Sequence, residues 1–302
     1  MIRVIAAGPL ATIQDLGRPG HAQLGVGASG AADRPSFRLA NRLVGNPEGA
    51  PAIEVTFGGL AISSDRGMWV ALCGAPVPAT ADGHTVPMNA PVHVPAGQLL
   101  RLGHPTTGVR TYLAVRGGID VPAVLGSRST DTLAQLGPAP LRAGQELPVG
   151  RCPTTHPNVE VAPVAGLPDE PVLRMRRGPR WDWVDAGARA ALARQRWLVG
   201  ADSDRIGVRL VGPALHRERR DELPPEGLVA GAVQLPPDGQ PIIFLADHPV
   251  TGGYPVIAVL LAADLALLAQ VRPGQRVRLR WRDPDELAAR RLSRPCVPVR
   301  PH

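Results

Sequence analysis

The chain has 302 residues, 44% hydrophobic, 20% charged and 3% aromatic, so it can bury one large core or two ordinary ones, and wholesale disorder is excluded. Its 34 glycines and 34 prolines demand frequent turns and exclude a helical bundle. The net charge of +7 rests on 33 arginines and no lysine, which removes every activity needing a side-chain amine on this chain, from a Schiff base or biotinyl-lysine to a P-loop lysine or a Ser-Lys hydrolase.

In chain order, residues 1–10 hold too few apolar side chains before Gly8-Pro9 for a secretory segment. Long uncharged stretches such as 68–81 and 251–263 are broken by Gly or Pro and fall short of the roughly 18 apolar residues of a membrane span. A cytoplasmic location without membrane contact is therefore expected. A helix is predicted over about Asp33 to Val44, capped by Asp33 and stopped at Gly45-Asn46. Strands are predicted at Ile53–Phe57, Met68–Cys73, Leu99–Leu102 and Thr111–Val115.

Six prolines fall between Pro148 and Pro171 with no apolar period, which predicts a first domain over 1–150, a linker over 151–171 and a second domain over 172–282. Within the second domain, helices are predicted over about Trp181 to Leu198 and about Ile257 to Val271. Strands are predicted at Ile206–Val211, Ala232–Leu235 and Ile242–Ala246. The clearest strand is Gln275–Arg282, where Val277, Leu279 and Trp281 alternate with Arg276, Arg278, Arg280 and Arg282. Residues 283–302 read as a short helix and a loose tail. The expected fold is mainly β with a few helices: two barrels or sandwiches whose ends the helices close.

Residues 1–150 carry 11 arginines against 9 acids, and residues 151–302 carry 22 against 17. With mixed charge runs and ten aromatics, no platform for nucleic acid is visible, and the arginines suit anionic small molecules or acidic protein surfaces better. Cys73, Cys152 and Cys296 form no CxxC pair, and the histidines form no HExxH, so neither a disulfide framework nor a metal site is expected.

Gly25-Val-Gly27-Ala-Ser-Gly30 satisfies GxGxxG, but the apolar strand of a dinucleotide-binding unit is missing before it. The loop either holds an anion through backbone N–H groups or is purely structural. Gly126-Ser-Arg-Ser-Thr-Asp131 contains no GxSxG nucleophile elbow. Its Arg128 and hydroxyls suit a carboxylate or phosphate, or else a capped turn with Arg128 in a structural ion pair.

Taken together, Thr12-Ile-Gln-Asp-Leu-Gly-Arg-Pro-Gly20, Ser29-Gly-Ala-Ala-Asp33, Ala40-Asn-Arg-Leu-Val-Gly-Asn46, Arg116-Gly-Gly-Ile119, Gly126–Asp131, Gly231-Ala-Val-Gln-Leu-Pro-Pro237 and Thr251-Gly-Gly-Tyr-Pro255 closely resemble the family of 5-oxoprolinase C subunits. That family is also known as KipA or allophanate hydrolase subunit 2, and it is similar to half of the carboxyltransferase domain of urea carboxylase. The resemblance runs from about residue 3 to about 282. It implies two linked cyclophilin-like β-barrel domains and partners: a KipI-like B subunit and the 5-oxoprolinase A subunit. It also implies ATP, used at the level of the complex, to open 5-oxoproline to glutamate, a coupling that a resonance-stabilised lactam needs.

For the enzyme this resemblance implies, Asp15, Asp33 and Asp247 are the acid-base candidates, each flanked by residues that can hold it and costly to bury unpaired, or else turn or helix caps. Gln14, Arg18, Asn41, Arg128, Ser129, Gln234, Thr251 and Tyr254 are the substrate-binding candidates, with Arg18 and Arg128 as anion grips. Two alternatives accompany it: a carboxyltransferase half served by biotin on another chain, since biotin cannot be attached here, and a regulator that binds a KipI-type kinase inhibitor. The chain departs from the family pattern at Ala139-Pro-Leu-Arg142, at Pro225-Glu-Gly227 and at His248-Pro-Val250, where specificity can shift.

Overall fold

A computed structural model describes residues 1–154, 159–219 and 221–282. The helix and tail expected over 283–302 lie outside the described residues. The first region contains β1 (Ile2–Ala7), β2 (Leu10–Gln14), α1 (Arg34–Leu43), β3 (Ala52–Thr56), β4 (Leu60–Ser64), β5 (Met68–Gly74), β6 (Ala79–Ala81), β7 (His84–Thr85), β8 (Pro91–Val94), β9 (Leu99–Leu102), β10 (Arg110–Val115) and β11 (Glu146–Leu147). These strands make a six-stranded sheet, β11-β1-β4-β9-β6-β7, and a five-stranded sheet, β2-β3-β10-β5-β8. Ile2, Val4, Ile62 and Leu100 of one sheet meet Ile13, Ile53, Val70 and Leu113 of the other in one core. Each such side chain, fully buried, contributes about 1.5–3 kcal/mol.

Helix α1 lays Phe37, Ala40 and Leu43 over Ala52, Cys73 and Tyr112 on the outer side of the five-stranded sheet. Consequently β10 is buried at every position. The Asp33 side chain caps this helix by accepting from the Ser36 N–H at 3.1 Å, as its position before the apolar pattern predicts.

The second region contains β12 (Val172–Arg177), α2 (Ala186–Arg194), β13 (Arg196–Val199), β14 (Gly207–Val211), β15 (Glu226–Gly227), β16 (Ala232–Gln234), β17 (Ile242–Phe244), β18 (Thr251–Gly252), β19 (Val256–Leu260), α3 (Leu265–Leu268) and β20 (Arg276–Trp281). Seven of its strands close into a barrel in the order β12-β19-β16-β17-β14-β13-β20, while β15 and β18 form a separate ribbon. The expectation of a mainly β fold built on barrels holds. In the first region two sheets share the core, and in the second the hydrogen-bonded ring is complete.

Two predicted helices are corrected. Residues 257–271 contain β19, a 3-10 turn at Ala262–Asp264 and the four-residue α3. Four of the five β19 residues are buried, so the period of two disappears and an uncharged apolar run resembles a helix. Residues 181–198 hold a 3-10 turn at Trp181–Trp183, then α2 capped by Asp185, then β13.

The segment 151–171 has neither strand nor helix among its described residues. It is tied down by bonds from Arg116 to the Pro153 carbonyl at 2.7 Å, from the Ala162 N–H to Asn89 O at 2.8 Å and from Gln275 to Pro168 O at 3.1 Å.

Candidate functional site

Where the two regions meet, the chain buries charge. Glu54, on the helix side of β3, is 1% exposed and Arg205, just before β14, is 2% exposed. The Arg205 guanidinium bonds Glu54 Oε1, and its Nε and Nη2 each lie 2.9 Å from a different oxygen of Asp247. Its Nη2 also donates to Gly30 O at 2.8 Å. Glu54 is further held by Tyr112 Oη at 2.7 Å, by the Ala32 N–H at 3.1 Å and by Arg110 Nε at 3.4 Å.

Burial raises the carboxyl pKa of both Glu54 and Asp247, but Arg205, with Arg110 beside Glu54, outweighs it, and both carboxyls sit below their ordinary values. Burial opposes the charge on Arg205 too, and the two carboxylates overcome it, raising its pKa. One cation between two anions, each hydrogen-bonded, is a geometry in which buried charge is tolerated.

Asp247 also carries the first region's loops. Ser29 Oγ donates to Asp247 Oδ1 at 2.6 Å, and the Thr132 hydroxyl and N–H donate to Oδ2 at 2.7 and 2.9 Å. Gln270, after α3, joins the regions a second time. Its Oε1 accepts from the N–H groups of Val109 and Arg110 at 3.0 and 2.9 Å, and its Nε2 donates to Asp33 Oδ2 at 2.7 Å. Burial raises the Asp33 carboxyl pKa although Gln270 and Ser36 both favour its ionised form.

A cleft of about 290 Å³ opens beside Ser29, between residues 28–35 and residues 245–248 and 262–266. Ala31, Leu245 and Leu265 give it apolar walls, and Ser29, Arg34 and His248 supply its polar groups. The His248 Nδ1 lies 2.8 Å from Pro249 O. A carbonyl only accepts, so Nδ1 carries the proton of the neutral ring and Nε2 is left as an acceptor. Arg34 donates to Leu16 O at 3.3 Å through Nη2.

The residues expected from sequence fall into separate groups. Asp15 is a loop anchor: its oxygens accept from Ser127 Oγ at 2.6 Å, Ser129 Oγ at 2.5 Å, the Arg128 N–H at 2.6 Å and the Gly17 N–H at 2.7 Å. Four donors converge on it, three of them on Oδ1, and hold it between two loops. Arg18 is 1% exposed and bonds the carbonyls of Ser129 and Val124. Arg128 gives Nε to Val121 O at 2.6 Å and Nη2 to Asp120 at 3.2 Å.

Both expected anion grips thus bond carbonyls of the protein itself, while Arg18 Nη1 has no hydrogen-bond partner and lies 3.8 Å from Asp131. Gln14 donates to Thr12 and to Thr130 O inside the same cluster. Asn41 lies apart, tying α1 to Ala50 O at 2.8 Å and to Asn46. Gln234 donates to Tyr254 O at 3.0 Å, while Thr251 and Tyr254 are exposed beside the β15–β18 ribbon. Asp33 and Asp247 do belong to the seam.

Sequence reasoning missed Glu54, Arg205, Arg110, Tyr112 and Gln270. A glutamate inside the apolar strand Ala-Ile-Glu-Val-Thr was the available signal, since a charge there must be exposed or paired. Among the described residues no group of three or more His, Cys, Asp or Glu is placed to hold a metal ion. Nor, among them, is any helix long and apolar enough to cross a membrane.

Fold and seam define a two-lobed β protein whose candidate site is assembled from both lobes. The carboxyltransferase domain, subdomain A and B, matches residues 24–281, and the chain belongs to that family. It is 41% identical over 278 residues, 91% of this chain and 89% of the relative, to the C subunit of 5-oxoprolinase from Escherichia coli (strain K12). A crystal structure of TTHA0988 superposes with a TM-score of 0.85 at 36% identity, covering 92% of this chain and 55% of that one. The K. lactis urea amidolyase structure also superposes with a TM-score of 0.85, at 31% identity over 92% of this chain and 18% of that one.

Proposed function

We propose that this chain is the C subunit of an ATP-dependent 5-oxoprolinase, working with a KipI-like B subunit and with the A subunit to open 5-oxo-L-proline to L-glutamate. The observation that carries the reading is the 41% identity to the C subunit of 5-oxoprolinase over 91% of the chain. The cleft at the seam is consistent with it. A five-membered lactam with one carboxylate is small, and a site of about 290 Å³ accommodates it, with alanine and leucine walls for its aliphatic ring carbons and polar groups for its amide and carboxylate.

In this reading Arg34 attracts the carboxylate. His248 Nε2 accepts the lactam N–H, and Ser29, held by Asp247, borders the reacting amide. ATP is a substrate of the assembled complex. Chemistry that needs a lysine comes from the other subunits, since this chain has none.

Reconstitution with the A and B subunits tests the reading through 5-oxoproline-dependent ATP hydrolysis and glutamate release. Arg34→Ala is expected to raise KM for 5-oxoproline about tenfold or more, with a smaller change in kcat. A wild-type complex without lactam-dependent turnover refutes the proposal.

A second reading, a half of a biotin-dependent carboxyltransferase, draws on the likeness to the K. lactis urea amidolyase structure. It predicts carboxyl transfer to a urea-like substrate when a carboxybiotin carrier is supplied on another chain. Absence of transfer with the carrier, alongside lactam turnover without it, decides for the first reading.

A further inference from the structure

The outer face of the second barrel is unlike the rest of the molecule. On β12, β20, β13 and β14, which are successive neighbours, positions not buried in the barrel alternate with core residues such as Leu173, Leu279, Trp197 and Leu210 over most of each strand. Those outward positions include seven arginines: Arg174 and Arg176, Arg276, Arg278 and Arg280, Arg196, and Arg209. None is acidic.

The strands hold these arginines in register. Arg174 pairs with Arg280, and Arg196 pairs with Arg278, so like charges stand about 5 Å apart at their Cβ atoms, an arrangement that destabilises a sheet. Two carboxylates relieve it in part: Asp264 bonds Arg174, and Glu170 bonds Arg196 and Arg278. Among the described residues Arg176, Arg209, Arg276 and Arg280 form no ion pair within 4 Å, although Arg276 is close enough to Glu170 to favour its charged form.

Three aliphatic side chains, Val172, Leu198 and Val211, are exposed by 44, 41 and 49% among the arginines. Through Arg176 the face continues into a cleft of about 780 Å³. There Arg177 and Arg189 stack on the Trp181 ring at 4.2 and 3.8 Å from its centroid.

We propose that this arginine-rich face docks an acidic protein surface, that of a partner within the complex. The inference rests on the functional reading above. Arginine and tryptophan are the residues that concentrate binding energy at protein interfaces, and lysine is depleted there. The exposed valines and leucine offer apolar contact that a phosphate backbone does not use. The Trp181 ring is already engaged by guanidinium groups, and Trp281 meets it edge-on at 6.0 Å, so neither is a free platform for stacking bases. Repulsion between paired arginines is relieved when a partner inserts carboxylates, and this makes the face selective for acidic surfaces.

The test uses the full chain with the purified A and B subunits. Binding is measured for wild type, for the charge reversal R176E/R276E/R280E and for the neutral R176Q/R276Q/R280Q. The three arginines point away from the core, so both variants are expected to keep the wild-type circular dichroism and melting temperature, which confirms that they fold. The reversal is expected to weaken binding to one of the two partners at least about tenfold and the neutral variant to weaken it less, with wild-type affinity falling as salt rises.

Undiminished binding by the folded reversal variant overturns the inference alone. A wild-type chain that binds neither partner overturns it together with the functional reading. Duplex DNA and phosphatidylserine vesicles are run in parallel. If the reversal abolishes binding to either while binding to both protein partners is unchanged, the face reads phosphate and the inference falls.

Discussion

Arg205 and Glu54 stand 151 residues apart in the chain and form an ion pair whose side chains are 2% and 1% exposed. Together with Asp247 they join the lobes by charge where an apolar contact would be cheaper to build. Removing one member of such an array leaves its partners charged and dry. Arg205→Ala is therefore expected to destabilise the protein by about 3–5 kcal/mol. Arg205→Lys keeps the charge but cannot fork between Glu54, Asp247 and Gly30 O, so it recovers only part of the loss. Urea unfolding of both variants measures this, and a wild-type midpoint for Arg205→Ala would show that the array adds nothing to the fold.

The same groups fix the acid limit of the protein. Glu54 and Asp247 titrate below their ordinary values of 4.5 and 3.8. Their contribution is complete above those values and is lost as pH falls through the lower, folded ones. Asp33 is shifted the opposite way by burial, so its contribution is complete at low pH and declines as pH rises above 3.8. Two lowered groups oppose one raised group, and the melting temperature is expected to fall between about pH 5 and about pH 2. Asp33→Asn keeps an acceptor for the helix cap and should gain on wild type as pH rises. If Asp33→Asn loses ground as pH rises, the assigned direction is wrong.

Much of the scaffold was legible because its strands face water on one side. In β20 the Arg-Val-Arg-Leu-Arg-Trp alternation states which face is core, and the Asp33 cap marks the start of α1. The 257–271 segment misled because burial on both faces erases periodicity. The seam was hidden for a different reason. Glu54 reads as one polar residue in a strand, Arg205 as one of many arginines, and nothing local says that the fold brings them together. Asp15 and Arg128 were found in two separate motifs, and the fold ties those two loops to each other: Asp15 accepts the Arg128 N–H, and the Arg128 side chain turns toward Val121 and Asp120.

Thiol chemistry separates a core cysteine from a surface one. Cys73 is buried under α1, and burial, reinforced by nearby Asp33, pushes its thiol up to about 12. Cys152 is exposed, with Sγ 3.6 Å from Arg116 O. In a Cys296→Ser background, a thiol reagent at about pH 8 is expected to modify Cys152 in the native protein, and Cys73 only after unfolding, because the thiolate is the reactive species. Equal native reaction rates at the two positions would contradict the packing of α1 over Cys73.

Gly30 tests whether the seam shapes the cleft. Its φ is +95°, and a Cβ there would lie 2.8 Å from the backbone of both Gly17 and Leu16. It follows Ser29, which has a φ of 52° and holds Asp247, and its own carbonyl accepts from Arg205. Gly30→Ala must therefore push the 16–17 loop away from residues 29–31 and draw the Ser29 hydroxyl off Asp247. Gly20 is the control: its φ is +96° and nothing lies within 4 Å of the added carbon, so Gly20→Ala costs only the left-handed backbone, about 1–2 kcal/mol. Gly30→Ala is expected to cost at least about 1 kcal/mol more than the control. In the reconstituted complex it should also lower lactam-dependent turnover, which Gly20→Ala should leave near wild type. Equal stability and turnover for the two variants would mean that the close approach at Gly30 does not hold Ser29 in place.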